Sequence, residues 1–268
     1  MTMRPIALAL ACLFVTAAPA IADEPARLYA AYTQAAGKGD PAAMVHLGAM
    51  YEYGLGTERN FTKAFGYYKQ AAEQGEIQAQ FRLGHMYEHG LGTPADPSSA
   101  LRWYTRAAER GDLAQAHYMV ASMHDRGAGT RVDKAEALKW YERAADQNHA
   151  DAIVCLGLML DHGDGIAPND AMAAIWFQRG ALQDDPASET CLGLMYYKGE
   201  GVPQSYAKAA QWFKKAADRN YPQAYFNLGV LYANGEGVKR NDAEARRLFH
   251  KAAALGDKDA QALVAGQK

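Results

Sequence analysis

Leu83-Gly-His-Met-Tyr-Glu-His-Gly-Leu-Gly92 decides the architecture, because close relatives of it recur along the chain at a nearly fixed step. Its closing Gly-x-Gly returns at Gly54/Gly56, Gly90/Gly92, Gly127/Gly129, Gly163/Gly165, Gly199/Gly201 and Gly235/Gly237, spaced 36, 37, 36, 36 and 36 residues. A period in this range belongs to solenoids, in which each unit buries its apolar face only against its neighbours. The expected fold is all-α, an α-solenoid, and self-similarity from end to end argues for one elongated body with a continuous core.

Each unit reads as helix A, glycine loop, helix B. Leu83, Met86 and Tyr87 are spaced i, i+3, i+4 and so share one helical face, as do Leu47/Met50/Tyr51, Leu156/Met159/Leu160, Leu192/Met195/Tyr196 and Leu228/Leu231/Tyr232. Helix B alternates small and large residues, as in Ala64, Tyr67, Tyr68, Ala71 and Ala72. Glycine inside helix A, at 48, 84, 157, 193 and 229, implies close approach by a neighbouring helix. Beyond each loop stands an N-cap type of residue: Asn60, Asp96, Asp133, Asn169, Ser205 and Asn241. The loop glycines are expected to end helix A in left-handed conformations.

The boundaries that follow are 23–39 for a capping half repeat of helix-B type, then 40–75, 76–111, 112–148, 149–184, 185–220 and 221–256 for six repeats, and 257–268 for a closing helix and tail. The third unit carries one extra residue and has Val120-Ala121 where the others have Leu-Gly. The fourth has Gly180 within helix B. The least stable junction, and any bend, is expected between Asp112 and Pro186.

Residues 1–22 read as a secretory signal: Arg4, an apolar run from Ile6 to Ala18, then the small-x-small Ala20-Ile-Ala22 before the cleavage point. The run is shorter than the ~20 apolar residues of a spanning helix, so no membrane insertion is expected after cleavage, and the mature chain is expected to be periplasmic or secreted. A formal net charge of -2 gives no basic footprint, which argues against nucleic acid as a partner.

The units resemble Sel1-like repeats, relatives of the tetratricopeptide helix pairs. The resemblance rests on the Ala-x-x-x-Leu-Gly-x-x-Tyr-x-x-Gly-x-Gly pattern at Ala79 to Gly92, Ala152 to Gly165, Ala187 to Gly201 and Ala224 to Gly237. It implies a right-handed superhelix of antiparallel helix pairs with helix A on the concave side, serving as an adaptor for proteins. For an exported bacterial member it implies a partner in the cell envelope. It also admits a regulator of a membrane sensor kinase, and a hydrolase of cell-wall or β-lactam type.

On this reading the candidate partner groove is lined by Glu52, Phe81, Glu88, Tyr118, Asp125, Arg126, Asp161, His162, Tyr197, Lys198 and Phe226. Its charge should be acidic toward the N-terminal half and its character more apolar toward the C-terminal half. His85-Met-Tyr-Glu88-His89 matches the His-x-x-Glu-His order of a zinc peptidase, with both histidines one turn apart. The repeat explains it more simply, since Glu88 and His89 fill slots that are polar in most units. No cofactor and no catalytic residue is assigned. The methionines at 50, 86, 123, 159 and 195 share one slot with Leu231 and read as core. Cys155 and Cys191 occupy equivalent positions of successive units, where packed helices lie ~8–10 Å apart, too far for a disulfide. Both are expected to be free, half-buried thiols.

Overall fold

A computed structural model describes residues 24–266; the leader expected over 1–22 lies outside the described residues. Contacts divide the described chain into two compact units that part between Arg110 and Gly111, where the repeat alone argued for one continuous body. Contacts in a repeat array are nearest-neighbour, and the division falls beside the one break in the 36-residue register.

The first unit holds α1 (Glu24–Gly37), α2 (Pro41–Tyr53), α3 (Phe61–Glu73), α4 (Ile77–His89) and nearly all of α5 (Pro97–Gly111). The second holds α6 (Ala114–Arg126), α7 (Lys134–Asp146), α8 (Ala150–His162), α9 (Asp170–Ala181), α10 (Pro186–Lys198), α11 (Tyr206–Asp218), α12 (Pro222–Asn234), α13 (Asp242–Ala254) and α14 (Lys258–Ala265). Among the described residues there is no strand. Within a pair the helices run antiparallel: Met44, early in α2, meets Gln74 after α3, while Glu52 at the far end of α2 meets Tyr68.

Helix ends are fixed by side chains and by glycine. The six B-type helices are capped by Asn60, Asp96, Asp133, Asn169, Ser205 and Asn241, each accepting from the backbone N–H three residues on at 2.9–3.4 Å, so all six expected caps form. At the other end of the loop Gly90 takes φ 66° and donates its N–H to the Met86 carbonyl, closing α4. Gly92 has φ 71°, and a Cβ there would stand 2.2 Å from the Phe61 carbonyl oxygen. The second glycine thus seats the loop on the start of the preceding B helix, as Gly56, Gly165, Gly201 and Gly237 also do.

The turns from helix B back to helix A also need a left-handed residue. Gly39, Gly75 and Gly256 supply it without strain, and Asp112, Asn148, Asp184 and Asn220 do so as the types that tolerate it best. Asp112 identifies the extra residue: it belongs to the last turn of α5, which has 15 residues against 12 or 13 in the other B helices after α1, and not to the third unit.

The core repeats with the sequence. Leu47, Leu83, Val120 and Leu156 are completely buried, and the slot of Met50, Met86, Met123, Met159, Met195 and Leu231 is at most 6 % exposed, as packing material should be. Each helix-A glycine lies under the aromatic ring of its own B helix; a Cβ on Gly84 would sit 2.8 Å from the Tyr104 ring. In the fifth unit the small slot that opens the pattern falls on Ser188, not Ala187. Ser188 is fully buried opposite Gly180, where a Cβ would lie 2.1 Å from its Oγ. Gly180 therefore makes room for the serine, and the pair stands in slots that hold Ala144 and Ala152, Ala216 and Ala224, or Ala252 and Ala260 in other units.

Candidate functional site

Helix A exposes one slot in every repeat: Tyr53, His89, Arg126, His162, Lys198 and Asn234 are all exposed. The slot before it turns inward in the early units. Glu52 is buried and accepts from the Tyr68 hydroxyl at 2.7 Å. Arg82 lies 3.9 Å from its other oxygen and donates to the Tyr53 hydroxyl at 3.0 Å. Glu88 repeats the arrangement one unit on, accepting from Tyr104 at 3.0 Å. Two acids of the candidate groove are thus tied to their own unit, and burial with a neighbouring carboxylate holds the Tyr68 phenol well above its ordinary value.

In the first unit His85 and His89 lie with ring centroids 4.3 Å apart, their planes tilted by 33°. Burial first, then the neighbouring His89, holds the His85 imidazole below its ordinary value. Among the described residues no group of three His, Cys, Asp or Glu is placed to hold a metal ion.

In the second unit the Lys134 ammonium bridges Asp125 and Asp164 at 2.6 Å each, and these hydrogen bonds raise its pKa. The bridge edges a cleft of about 160 Å³ that brings Asp125 and His162 together over Tyr141, Cys155 and Leu158. Asp161 lies 3.5 Å from His162, and Lys198 pairs with Glu200 at 3.0 Å. Arg126 turns back to the Ser122 carbonyl at 3.2 Å. Tyr118 stacks on His149, centroids 4.7 Å apart, and burial pushes its phenol up to about 12. Tyr197 sits 5.3 Å from Tyr206.

The aromatic row is half-buried in a constant pose. Phe81, Tyr118 and Phe226 meet Tyr104, Tyr141 and Phe249 of their own units at 5.3, 5.9 and 5.5 Å, tilted by 51°, 51° and 50°. Cys155 and Cys191 are free and half-buried, as expected, and burial pushes the thiols up to about 11 and about 12.

Arg82 and Lys134 were not anticipated as members of the site. Lys134 carried a usable signal: a lysine at the first position of a helix opposes the macrodipole, which points to a local anionic partner. Arg82 carried none, because its slot holds Cys155 and Cys191 in later units.

The Sel1 repeat family model matches residues 41–76, 77–112, 114–149, 150–185, 190–221 and 222–257. Among solved structures the chain is similar to a protective antigen of uropathogenic Escherichia coli strains that displays the same repeat fold, at 35 % identity and TM-score 0.81 over 87 % of this chain and 50 % of that one. The chain thus spans half the length of that antigen. It is also similar to a Sel1 repeat protein from Oxalobacter formigenes, at 33 % identity and TM-score 0.70, covering 80 % of this chain and 85 % of that one. No curated protein matches by sequence.

Proposed function

Because the chain belongs to the Sel1-repeat family, we propose that it is a non-enzymatic scaffold that binds a protein or peptide segment along its exposed helix-A row. Sel1-repeat proteins are in general protein-interaction scaffolds. One observation carries the reading to particular residues. Tyr53, His89, Arg126, His162, Lys198 and Asn234 share the slot that is exposed in every repeat and has no common chemistry, while the Met/Leu core slot is nearly invariant. Changeable side chains on a constant frame are what recognition of a specific partner needs. On the same helices, two turns earlier, Phe81, Tyr118 and Phe226 offer half-buried rings of the kind that anchor interfaces.

Site-specific photo-crosslinking tests this. A crosslinker at Arg126 or Lys198 should capture a partner that one at Lys139, on the outward side of α7, does not. Capture at Lys139 alone would move the site to the B helices and overturn the assignment.

We further propose that the chain is exported and works in the cell envelope. The support is the leader pattern, Arg4, the apolar run and Ala20-Ile-Ala22. No described helix is long and apolar enough to cross a membrane. Mass spectrometry of the native protein should find Asp23 at the N-terminus; an intact Met1 would refute this part.

A further inference from the structure

We propose that the open cleft between α1 and α3 is a binding site for a small ring-bearing carboxylate, sharing no residue with the helix-A row and independent of the scaffold reading. The cleft measures about 570 Å³, within the range of sites for small ligands.

The repeats show why it is open. The slot of Gly66 holds Arg102, Lys139, Ile175, Gln211 and Arg247 in the other units, and that of Gly37 holds Glu73, Glu109, Asp146, Leu182 and Asp218. A Cβ on Gly66 or Gly37 would meet nothing within 4 Å, and neither backbone is left-handed. Packing and turn geometry therefore give no reason for glycine at either place, and Gly66 weakens the helix it sits in. What the two glycines do is remove the side chains that would fill the space.

The walls define the ligand. Tyr51 and Tyr67 stack at 5.8 Å with planes 8° apart, and the Tyr51 hydroxyl is held by Tyr29 at 2.6 Å, so the aromatic wall is fixed. Tyr67 is only half-buried, which leaves ring surface for a flat apolar body. The exposed Lys63 ammonium stands 5.0 Å from the Tyr51 ring centroid. Among the described residues no carboxylate lies within ion-pair distance of it. A cation without a counter-ion beside an aromatic wall favours an anion joined to a ring. The Gln70 amide and the Thr33 hydroxyl, which donates to the Tyr29 carbonyl at 2.7 Å, line the same cleft and supply polar contacts. A bare anion would leave the Tyr67 ring uncovered, and a neutral ring would leave Lys63 without a counter-ion.

The carboxylate could belong to a free aromatic acid or to the C-terminal residue of a peptide. NMR titration of the full chain with indole-3-acetate, indole-3-acetamide, Gly-Gly-Trp and Gly-Gly-Trp-amide separates the cases. Saturable shifts at the Gly66 and Tyr67 amides are expected with at least one acid, and at least tenfold weaker binding of its amide. Gly66→Leu should abolish the shifts while raising Tm, so loss of binding is not loss of fold. Lys63→Gln should weaken binding about fivefold. Tighter binding of the tripeptide assigns the site to peptide termini, and of indole-3-acetate to free acids. No saturable shift with either acid, equal binding of acid and amide, or binding that survives Gly66→Leu overturns the proposal.

Discussion

Replacing Tyr68 by phenylalanine removes one hydroxyl from the centre of the first repeat. Tyr68 is completely buried and its hydroxyl reaches the buried Glu52 at 2.7 Å. The other Glu52 oxygen has Arg82 only at 3.9 Å, so it compensates little. Hydrogen bonds to charged groups contribute about 1.5–3 kcal/mol, and a buried acceptor left without its donor is expensive. Tyr68→Phe should therefore destabilise by about 2–3 kcal/mol. The chain contains its own control: Phe177, Phe213 and Phe249 fill this slot where helix A offers Asp161, Tyr197 and Ala233 instead of glutamate. Glu52→Ala with Tyr68→Phe copies the sixth unit and should be less destabilised than the sum of the singles by about 1.5 kcal/mol. The assay is urea unfolding of the four proteins followed by circular dichroism. Amide exchange in α2 and α3 would localise the change, since repeat arrays need not unfold as one unit. A Tyr68→Phe protein within about 0.5 kcal/mol of the parent, or strictly additive effects, would refute the reasoning.

Two glycines should respond to alanine with opposite signs: Gly92→Ala, with φ 71° and a Cβ 2.2 Å from a carbonyl oxygen, should lose more than the about 1–2 kcal/mol of the backbone term alone. Gly66→Ala should gain up to about 1 kcal/mol; thermal melts of both proteins check the pair. His149 caps α8 through Nδ1, 3.3 Å from the Ala152 N–H, and burial lowers its pKa. The unfolded chain therefore takes up the proton first, so this contribution is complete above about pH 6.5 and declines as pH falls toward the folded value. His85 has the same sign. His149→Asp, copying the caps at Asp40, Asp185 and Asp257, should flatten unfolding free energies between pH 7.5 and 5.5; an unchanged slope would count against the cap. Cys155 and Cys191, with thiols raised to about 11 and about 12, should react with iodoacetamide at pH 8 far more slowly than a free cysteine, as read by mass spectrometry of the native and urea-unfolded chain.

Repetition made the fold legible. A residue that recurs from unit to unit reports a constraint that recurs, so the caps at Asn60 to Asn241 and the close approach of a helix to the helix-A glycines could be read before any coordinates, though not that an aromatic ring makes that approach. Single departures were harder. Gly180 looked like a weak point because its partner Ser188 lies beyond the turn, and complementary volume is invisible until both sides are seen. The position of the extra residue depended on whether a glycine or an aspartate takes the left-handed turn, and either type can. At the candidate site, the row of acids was visible at Glu52 and Glu88, but not that tyrosines sixteen residues on would hold them. A period-36 alignment places residues in slots; it does not say which slots face each other within a unit.

The seating of loop glycines on the preceding B helix also bears on how such a chain is copied. Gly165 sits against Lys134, and Gly201 against Asp170, which fills the same slot one period later. The contact asks only for the first residue of a helix, not for its identity. Excising residues 149–184 would bring Gly201 to Lys134 with the geometry Gly165 has now, and duplicating that segment would be equally neutral to the seat. A gene encoding this array could lengthen or shorten by unequal recombination without inventing a new joint.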